Sequence, residues 1–377
     1  MRPVPLLDLK AQHDTIREEI ADAIALVVDS QSFVLGPVVR RFEEEAARYL
    51  GASHAVGCAS GTDALILSLA ALGIGPGDEV LTTPFSFFAT ASCAYKVGAR
   101  PRFVDIDETL NLDPSRIEAA ATRRTRAILP VHLFGQCADM DSIQDVARRL
   151  RVDVVEDAAQ AFGTTYLRNE DRVHAGLLGT LGCYSFFPTK NLGAYGDGGM
   201  VVTENPFLAE KLRSLRIHGE TERYHHQIVG WNSRLDALQA AVLRVKLPRL
   251  SRWCEARQAN AARYDRLFED AGLARDGRVA LPVRTPRSDH IFNQYTIRVE
   301  NRPALVAHLA REGIGHAIYY PVPLHLQECF RDLDYREGDF PAAERASREV
   351  LSLPVYAELR RDDQDRVVET IARFYRG

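Results

Sequence analysis

The chain has no Cys-x-x-Cys pair, no long apolar run and no excess of positive charge, and each absence removes a class of function. Its six cysteines (Cys58, Cys93, Cys137, Cys183, Cys254 and Cys329) are scattered singly over 377 residues. That dispersal excludes a thiolate metal site of ordinary spacing and a disulfide scaffold, and it fits reduced thiols in a cytoplasm. The longest apolar stretch, ALILSLAALGIG from Ala64, is too short to cross a bilayer and ends in PGDE. The first residues, MRPVPLLDLKAQHD, lack the apolar core of a secretory signal. A cytoplasmic protein with no membrane partner is the expectation. Lys and Arg total 47 against 51 Asp and Glu, a net charge of -4, which leaves no basic footprint for nucleic acid. Also missing is a G-x-G-x-x-G between a first strand and its helix. GIGPGD follows a helix and precedes a strand, so it is a turn, and a nicotinamide-dinucleotide domain is excluded.

What is present is an ordinary globular composition, 46% hydrophobic and 26% charged, on a chain long enough for one large and one smaller domain. Residues 9–50 read as two helices, with Ile16, Ile20, Ala23, Ile24 and Val27 at helical spacing and VVRRFEEEAARYLG stopping at glycine. From His54 the rhythm changes. HAVGC, EVLTTP, PRFVDI, AILPVH, VDVVED and GMVVTE read as strands, GCYSFFPTK opens as another, and helices intervene near 62–73, 88–97, 113–121 and 139–150. This alternation predicts a mostly parallel sheet covered on both faces. Beyond residue 285, FNQYTIRV reads as a half-buried strand and RPALVAHLAREG as a helix, the start of a smaller α+β domain. The expected division is 1–50 for N-terminal helices packing on the small domain or a dimer partner, 51–250 for the large domain and 251–377 for the small one.

Three short clusters fall where such sheets hold ligands, just after their strands. In CASGTDALILSLA, Ser60-Gly61-Thr62 opens a helix whose free amides suit a phosphate, though Ser60 or Thr62 could equally be a plain helix cap. In VDVVEDAAQAFG, Asp157 closes an apolar strand; a buried carboxylate there needs a cation or hydrogen bonds, unless it merely caps a helix. In SFFPTKNLGAYGDGGM, Lys190 follows two aromatics and a proline and precedes a glycine-rich turn. A lysine so enclosed can act as a Schiff-base amine, while the commoner fate of a loop lysine is a solvated charge. Taken together, the clusters match the needs of pyridoxal 5′-phosphate, which is held by its phosphate, ring nitrogen and aldehyde carbon.

These motifs carry a family resemblance. The chain resembles the fold-type-I pyridoxal-phosphate enzymes, specifically the DegT-like sugar aminotransferases, in LDL, LGPVVRRFEEE, ASGTDAL, GIGPGDEV, VDID, EDAAQAFG, SFFPTKNLGAYGDGGM, NSRLDALQAA and YPVPLH. The resemblance implies an α/β, aspartate-aminotransferase-like fold with a large, mostly parallel seven-stranded sheet domain that binds the cofactor and a smaller α+β C-terminal domain. It implies that Lys190 bonds to the cofactor and shuttles the proton, that Asp157 keeps the ring nitrogen protonated, and that Gln160 contacts the ring hydroxyl. It further implies that Phe88 stacks on the ring, that Gly61, Thr62 and Ser185 hold the phosphate, and that Asn232 reaches the phosphate from the other subunit of a homodimer. Glutamate, leaving as 2-oxoglutarate, would be the amino donor and a nucleotide-linked ketosugar the acceptor. No metal is implied.

The stretch RYHHQIVGWNSRLD, with weaker support from QYTIRVENR, is most similar to enzymes that aminate C3 of UDP-linked 3-ketosugars, including 2-acetamido-3-oxo-glucuronate. Arg234 there could grip a carboxylate of the sugar or of glutamate, and His225 and His226 could touch the sugar or its pyrophosphate or simply pack at a dimer interface. Tyr320 and His325 are weaker candidates for substrate contact. Many relatives read His-Tyr-Pro where this chain has Tyr319-Tyr320-Pro321, a departure that bears on sugar recognition. A dTDP-linked 3- or 4-ketosugar is the alternative substrate. A deoxysugar dehydratase and a non-enzymatic regulator on the same fold are the remaining rivals; relatives that eliminate water carry histidine in place of the lysine, so Lys190 favours transamination.

Overall fold

The computed structural model describes residues 2–377. Its central sheet is built from β1 (His54–Cys58), β2 (Glu79–Thr82), β3 (Arg100–Phe103), β4 (Thr125–Leu129), β5 (Asp153–Asp157), β6 (Leu181–Ser185) and β7 (Gly199–Thr203). They lie in the order β1-β7-β6-β5-β4-β2-β3, parallel throughout except for the two pairings that β7 makes. Every residue of β2 and β7 is buried, as a sheet with helices on both faces requires. The mostly parallel sheet expected from the strand–helix alternation is therefore present, with the seven strands that the resemblance implied, and each strand overlaps a stretch read from the sequence.

The reversed direction of β7 positions the site. Its first residue, Gly199, pairs with Cys58 at the end of β1 and with Ser185 at the end of β6. On the far side of β6, Cys183 pairs with Asp157 at the end of β5. Three chain segments that are distant in sequence thus finish side by side on one edge of the sheet. Helix Gly61–Ala71, which leaves β1 at that edge, is buried from Ala64 to Leu69 and again at Ala71, because strands lie on one side of it and helices Ala89–Lys96 and Pro206–Leu215 on the other.

The smaller core gathers Tyr264, Phe268, Ile297, Leu309, Leu351 and Ile371 around an antiparallel sheet of Val279–Ala280, Tyr295–Val299 and Val350–Leu353. Helix Leu250–Asp270 joins both bodies: Leu250 and Cys254 sit in the large core, Ala261, Tyr264 and Phe268 in the smaller one. The structure sets the two longer N-terminal helices against the large body. Gly36–Leu50 buries Val39, Phe42, Ala46 and Leu50 there, and Arg17–Ser30 packs Ile20 with Val242 and Trp253. From the N-terminal residues, Val4 and Leu7 join the smaller core. Proximity in sequence to β1 explains this: helix Gly36–Leu50 leads into β1 through only Gly51–Ser53, so its apolar face meets the sheet first.

Candidate active site

The first element of the site is a cradle. Ser60 caps helix Gly61–Ala71 by accepting from the Asp63 amide at 3.1 Å, while the amides of Gly61 and Thr62 have no acceptor among the described residues. An 11-residue helix with unspent amides at its start carries partial positive charge there. The turn closes tightly on the neighbouring strands. A Cβ on Gly61 would stand 2.6 Å from the Ser185 Cβ, and one on Gly199 would stand 2.2 Å from the Ser60 carbonyl oxygen, so both positions need glycine. The result is that the Ser185 hydroxyl shares the space in front of the helix start. Asp63, an acid in the same first turn, is held aside by the Ser233 hydroxyl, which donates to it at 2.9 Å.

The second element is Asp157, the buried last residue of β5. Thr90 Oγ1 donates to its Oδ2 at 2.8 Å and the Ala159 amide to its Oδ1 at 3.2 Å. Burial raises its pKa, opposed by these two hydrogen bonds and by the Lys190 charge. The preceding Glu156 shows what a satisfied carboxylate looks like. Alternation along the strand turns it to the opposite face, where it meets His132 Nε2 at 2.7 Å and accepts the amides of Gly176 and Leu178 at 2.8 and 2.7 Å. His132 Nδ1 accepts from the Ala138 amide at 3.2 Å, so its proton sits on Nε2 and is donated to Glu156. Glu156 is spent inside the fold; Asp157 keeps capacity for a further cation.

The third element is Lys190. Its loop folds back on β6: the Ala194 amide donates to the Phe186 carbonyl at 2.8 Å and the Lys190 amide to the Phe187 carbonyl at 2.9 Å. Part of the Lys190 surface stays open, but the amine itself is enclosed. Desolvation pulls it down to about 8, and Asp157 pulls the other way. An amine titrating there keeps a far larger neutral, nucleophilic fraction near neutral pH than an ordinary lysine does.

The remaining sequence candidates divide. Gln160 is buried, accepts the Phe134 amide at 2.6 Å and donates from Nε2 to the Tyr320 hydroxyl at 3.1 Å, so these two face each other across the domains. Phe88 stacks on Phe330 at 5.4 Å, in line with Tyr95, and stays 43% exposed. Its neighbour Phe87 is 57% exposed and lies 6.4 Å from the Tyr320 ring. His325 is 2% exposed, bonded through Nε2 to Glu344 at 3.1 Å and packed edge-on to Phe340. Its burial and the Glu344 contact leave His325 little access to a substrate, although its Nδ1 has no partner among the described residues.

His225 and His226 lie in a short exposed hairpin with Glu220–Glu222. His226 and Arg234 line one cavity of about 720 Å³ with Tyr224 and Val229, and neither Lys190 nor Asp157 lines it. No ion pair among the described residues reaches Arg234. Asn232 is exposed, with its backbone bridged to Ile217. Sequence reading missed Thr90, which touches Asp157 across 67 positions; no spacing links them, although Thr90 closes the PFSFFAT stretch that also holds Phe87.

The sequence profile of the DegT/DnrJ/EryC1/StrS aminotransferase family matches residues 14–372. The chain is 50% identical over 374 residues, 99% of each protein, to the pleiotropic regulatory protein of Geobacillus stearothermophilus. It is 45% identical over 369 residues (98% of this chain, 95% of the relative) to dTDP-3-amino-3,4,6-trideoxy-alpha-D-glucose transaminase of Streptomyces venezuelae. It is 44% identical over 375 residues (99% and 98%) to UDP-N-acetyl-3-dehydro-alpha-D-glucosamine 3-aminotransferase of Acidithiobacillus ferrooxidans. Among solved structures, S. venezuelae DesV in complex with a ketimine intermediate superposes with a TM-score of 0.94 at 44% identity over 99% of each chain. Likeness running from end to end at this level fixes more than the fold: the chain belongs to the DegT/DnrJ/EryC1/StrS aminotransferase family, whose motifs its sequence resembles.

Proposed function

We propose that this enzyme moves an amino group from glutamate to C3 of a UDP-linked 3-ketosugar, with UDP-2-acetamido-3-oxo-glucuronate as the representative acceptor. Amination of nucleotide-linked ketosugars with pyridoxal 5′-phosphate is the family's activity; the carbon and the nucleotide are what the proposal adds. Both transaminase relatives have names that put the nitrogen at C3, which supports that carbon. Support for an acidic sugar comes from Arg234, which has no carboxylate partner among the described residues and lines a cavity with His226. A guanidinium in that state suits a bidentate carboxylate.

The residues fit the cofactor on observations independent of one another. The cradle at Gly61, Thr62 and Ser185 offers free amides and a hydroxyl in a space that any side chain on Gly61 would fill. Asp157 is a buried carboxylate with capacity for a cation, as a protonated ring nitrogen would be. Lys190 presents a desolvated amine that feels the charge of Asp157. When bound, pyridoxal 5′-phosphate supplies an aldehyde that takes up nitrogen and a ring that accepts the electron pair released at the donor's α-carbon. Lys190 would hold that aldehyde through its amine and, once neutral and free of it, would be the group that takes up and returns the donor's α-proton. Asp157 holds a proton at the ring nitrogen, with Thr90 fixing its orientation. Gln160 is assigned to the ring hydroxyl, and Phe87 replaces Phe88 as the aromatic for the ring face.

A second copy of this chain completes the proposed site by offering Asn232 to the phosphate. Leu26, Val34 and Val229 are 71, 52 and 93% exposed, an apolar surface that a homodimer would cover. The six dispersed cysteines, carried reduced, keep the cytoplasm as the proposed setting.

Two outcomes are expected for cofactor binding. Capture of pyridoxal 5′-phosphate by cofactor-free enzyme accelerates as pH rises through about 8, because only the deprotonated Lys190 amine attacks; stopped-flow absorbance measures it, and a flat profile from pH 6 to 10 refutes the assignment. Gly61→Ala forces its Cβ against Ser185, an overpacking of about 1–3 kcal/mol. That strain lowers the melting temperature of the cofactor-free protein, read by circular dichroism, and because the methyl group also occupies the phosphate space, cofactor affinity falls by about 10–100-fold as well. The substrate itself is settled by offering the pyridoxamine-loaded enzyme a panel of UDP- and dTDP-linked 3- and 4-ketosugars and following the return of absorbance. A response confined to a dTDP-4-ketosugar defeats the proposal. The regulatory reading draws on the name of the 50% identical relative, but a pure binder has no use for a desolvated amine beside a buried acid.

A further inference from the structure

Lys246 is 2% exposed, yet no carboxylate among the described residues lies within ion-pair distance of it, and burial alone lowers its amine to about 8. A buried lysine without an acid is uncommon and invites a reason. Its Nζ donates to the Gly193 carbonyl at 2.7 Å and lies 4.5 Å from the centroid of the Tyr195 ring, an attractive placement for a cation. On the same face of helix Ala237–Lys246, two turns earlier, Gln239 Oε1 accepts the Tyr195 amide at 2.8 Å. From the other side, His13 of helix Leu9–Asp14 meets the Tyr195 hydroxyl at 2.6 Å.

These contacts converge on the segment that follows Lys190. Gly193, Gly196, Gly198 and Gly199 loosen that segment, and between its backbone bonds to Phe186 at Ala194 and Gly198 the stretch around Tyr195 is held from outside. Helix Ala237–Lys246 can do so because Ala237, Ala240, Ala241 and Leu243 seat it in the large core. Resting on the reading of Lys190 as the cofactor-binding lysine, we propose that Lys246, with Gln239, is a positioning residue that clamps the loop at Gly193 and Tyr195 and so holds the Lys190 amine in its attacking position. In the attack the Lys190 Nζ forms its bond to the aldehyde carbon, and both amine hydrogens leave with the aldehyde oxygen as water. Lys246 takes no part in that exchange. Neutral or charged, it retains an N–H for the Gly193 carbonyl, so the clamp is not a pH switch.

Lys246→Met, which keeps most of the side-chain length and removes the donor, tests this in the full chain without cofactor. Amide exchange across 190–198 accelerates at least tenfold while β5 is unchanged. Capture of pyridoxal 5′-phosphate slows at least tenfold, and affinity for pyridoxine 5′-phosphate, which has the ring and phosphate but no aldehyde, stays within twofold. Unchanged exchange and capture overturn the proposal, as does an equal loss of pyridoxine 5′-phosphate affinity, which would mean general damage to the pocket. Should the methionine variant not fold, Gln239→Leu is held to the same measurements with the same readings. Lys190→Ala separates the two layers: if it still captures the aldehyde covalently, the cofactor-lysine reading falls and this proposal with it. If Lys190→Ala abolishes capture and Lys246→Met leaves it intact, only the clamp is lost.

Discussion

Lys190→Ala abolishes the absorption band of covalently held cofactor and lowers the rate of transamination by about 10⁴-fold, the upper end of what a positioned proton-transfer group supplies. Two functions vanish together, the bond to the aldehyde and the movement of the α-proton, so adding a small amine to the assay restores only a fraction of the rate. The phosphate cradle at Gly61, Thr62 and Ser185 is untouched, and the variant still binds the cofactor noncovalently. A stability measurement gives the same residue a second test. The Lys190 amine is lowered to about 8 in the folded chain against an ordinary 10.5. The unfolded chain therefore binds more protons between those values, and stability of the cofactor-free protein rises with pH across that window. In Lys190→Ala this contribution to the rise is gone, and below pH 8 the variant is the more stable protein. A wild-type level of absorbance and turnover in the variant would remove Lys190 from the chemistry altogether.

How much of this was legible beforehand follows from the physics of each element. The strands were readable because burial on both faces demands near-continuous apolar runs, as in VDVVED and GMVVT, and these stand out between polar helices. The cradle, the acid and the lysine were readable because each closes a strand or opens a helix, the positions where backbone dipoles and strand ends gather ligands. Which of two adjacent residues faces the site was not readable in a loop without a fixed period. Phe87 and Phe88 are chemically identical, and only the packing of Phe330, far along the chain, distinguishes them. Within β5, by contrast, alternation separates Glu156 from Asp157 on principle, yet it takes the amides of Gly176 and Leu178 to show which face is sealed. His325 was not decidable, because a histidine reads the same in sequence whether it meets a ligand or Glu344. Thr90 and Lys246 were invisible for a related reason: their partners, Asp157 and Gly193, are supplied by chain segments that no local pattern connects to them.

Asp157→Asn lowers turnover by about 10²–10³-fold, the cost of losing one preorganised charge at a developing carbanion, and leaves the covalent band of the cofactor in place. Asparagine fills the same volume and can keep the Thr90 contact, but it cannot hold a proton at the ring nitrogen, so the electron pair released at the α-carbon is less well accepted. The change also reaches Lys190. Asp157 opposes the desolvation that depresses the Lys190 amine, so without it the midpoint for cofactor capture moves below about 8, toward lower pH. The neighbouring carboxylate provides the contrast that makes this decisive. Glu156→Gln breaks a buried pairing with His132 and weakens the acceptor for Gly176 and Leu178, which costs stability by about 1–3 kcal/mol while turnover per folded molecule and the capture midpoint hold. If instead Glu156→Gln slows catalysis more than Asp157→Asn and shifts the midpoint, the two acids have been assigned to the wrong faces of β5.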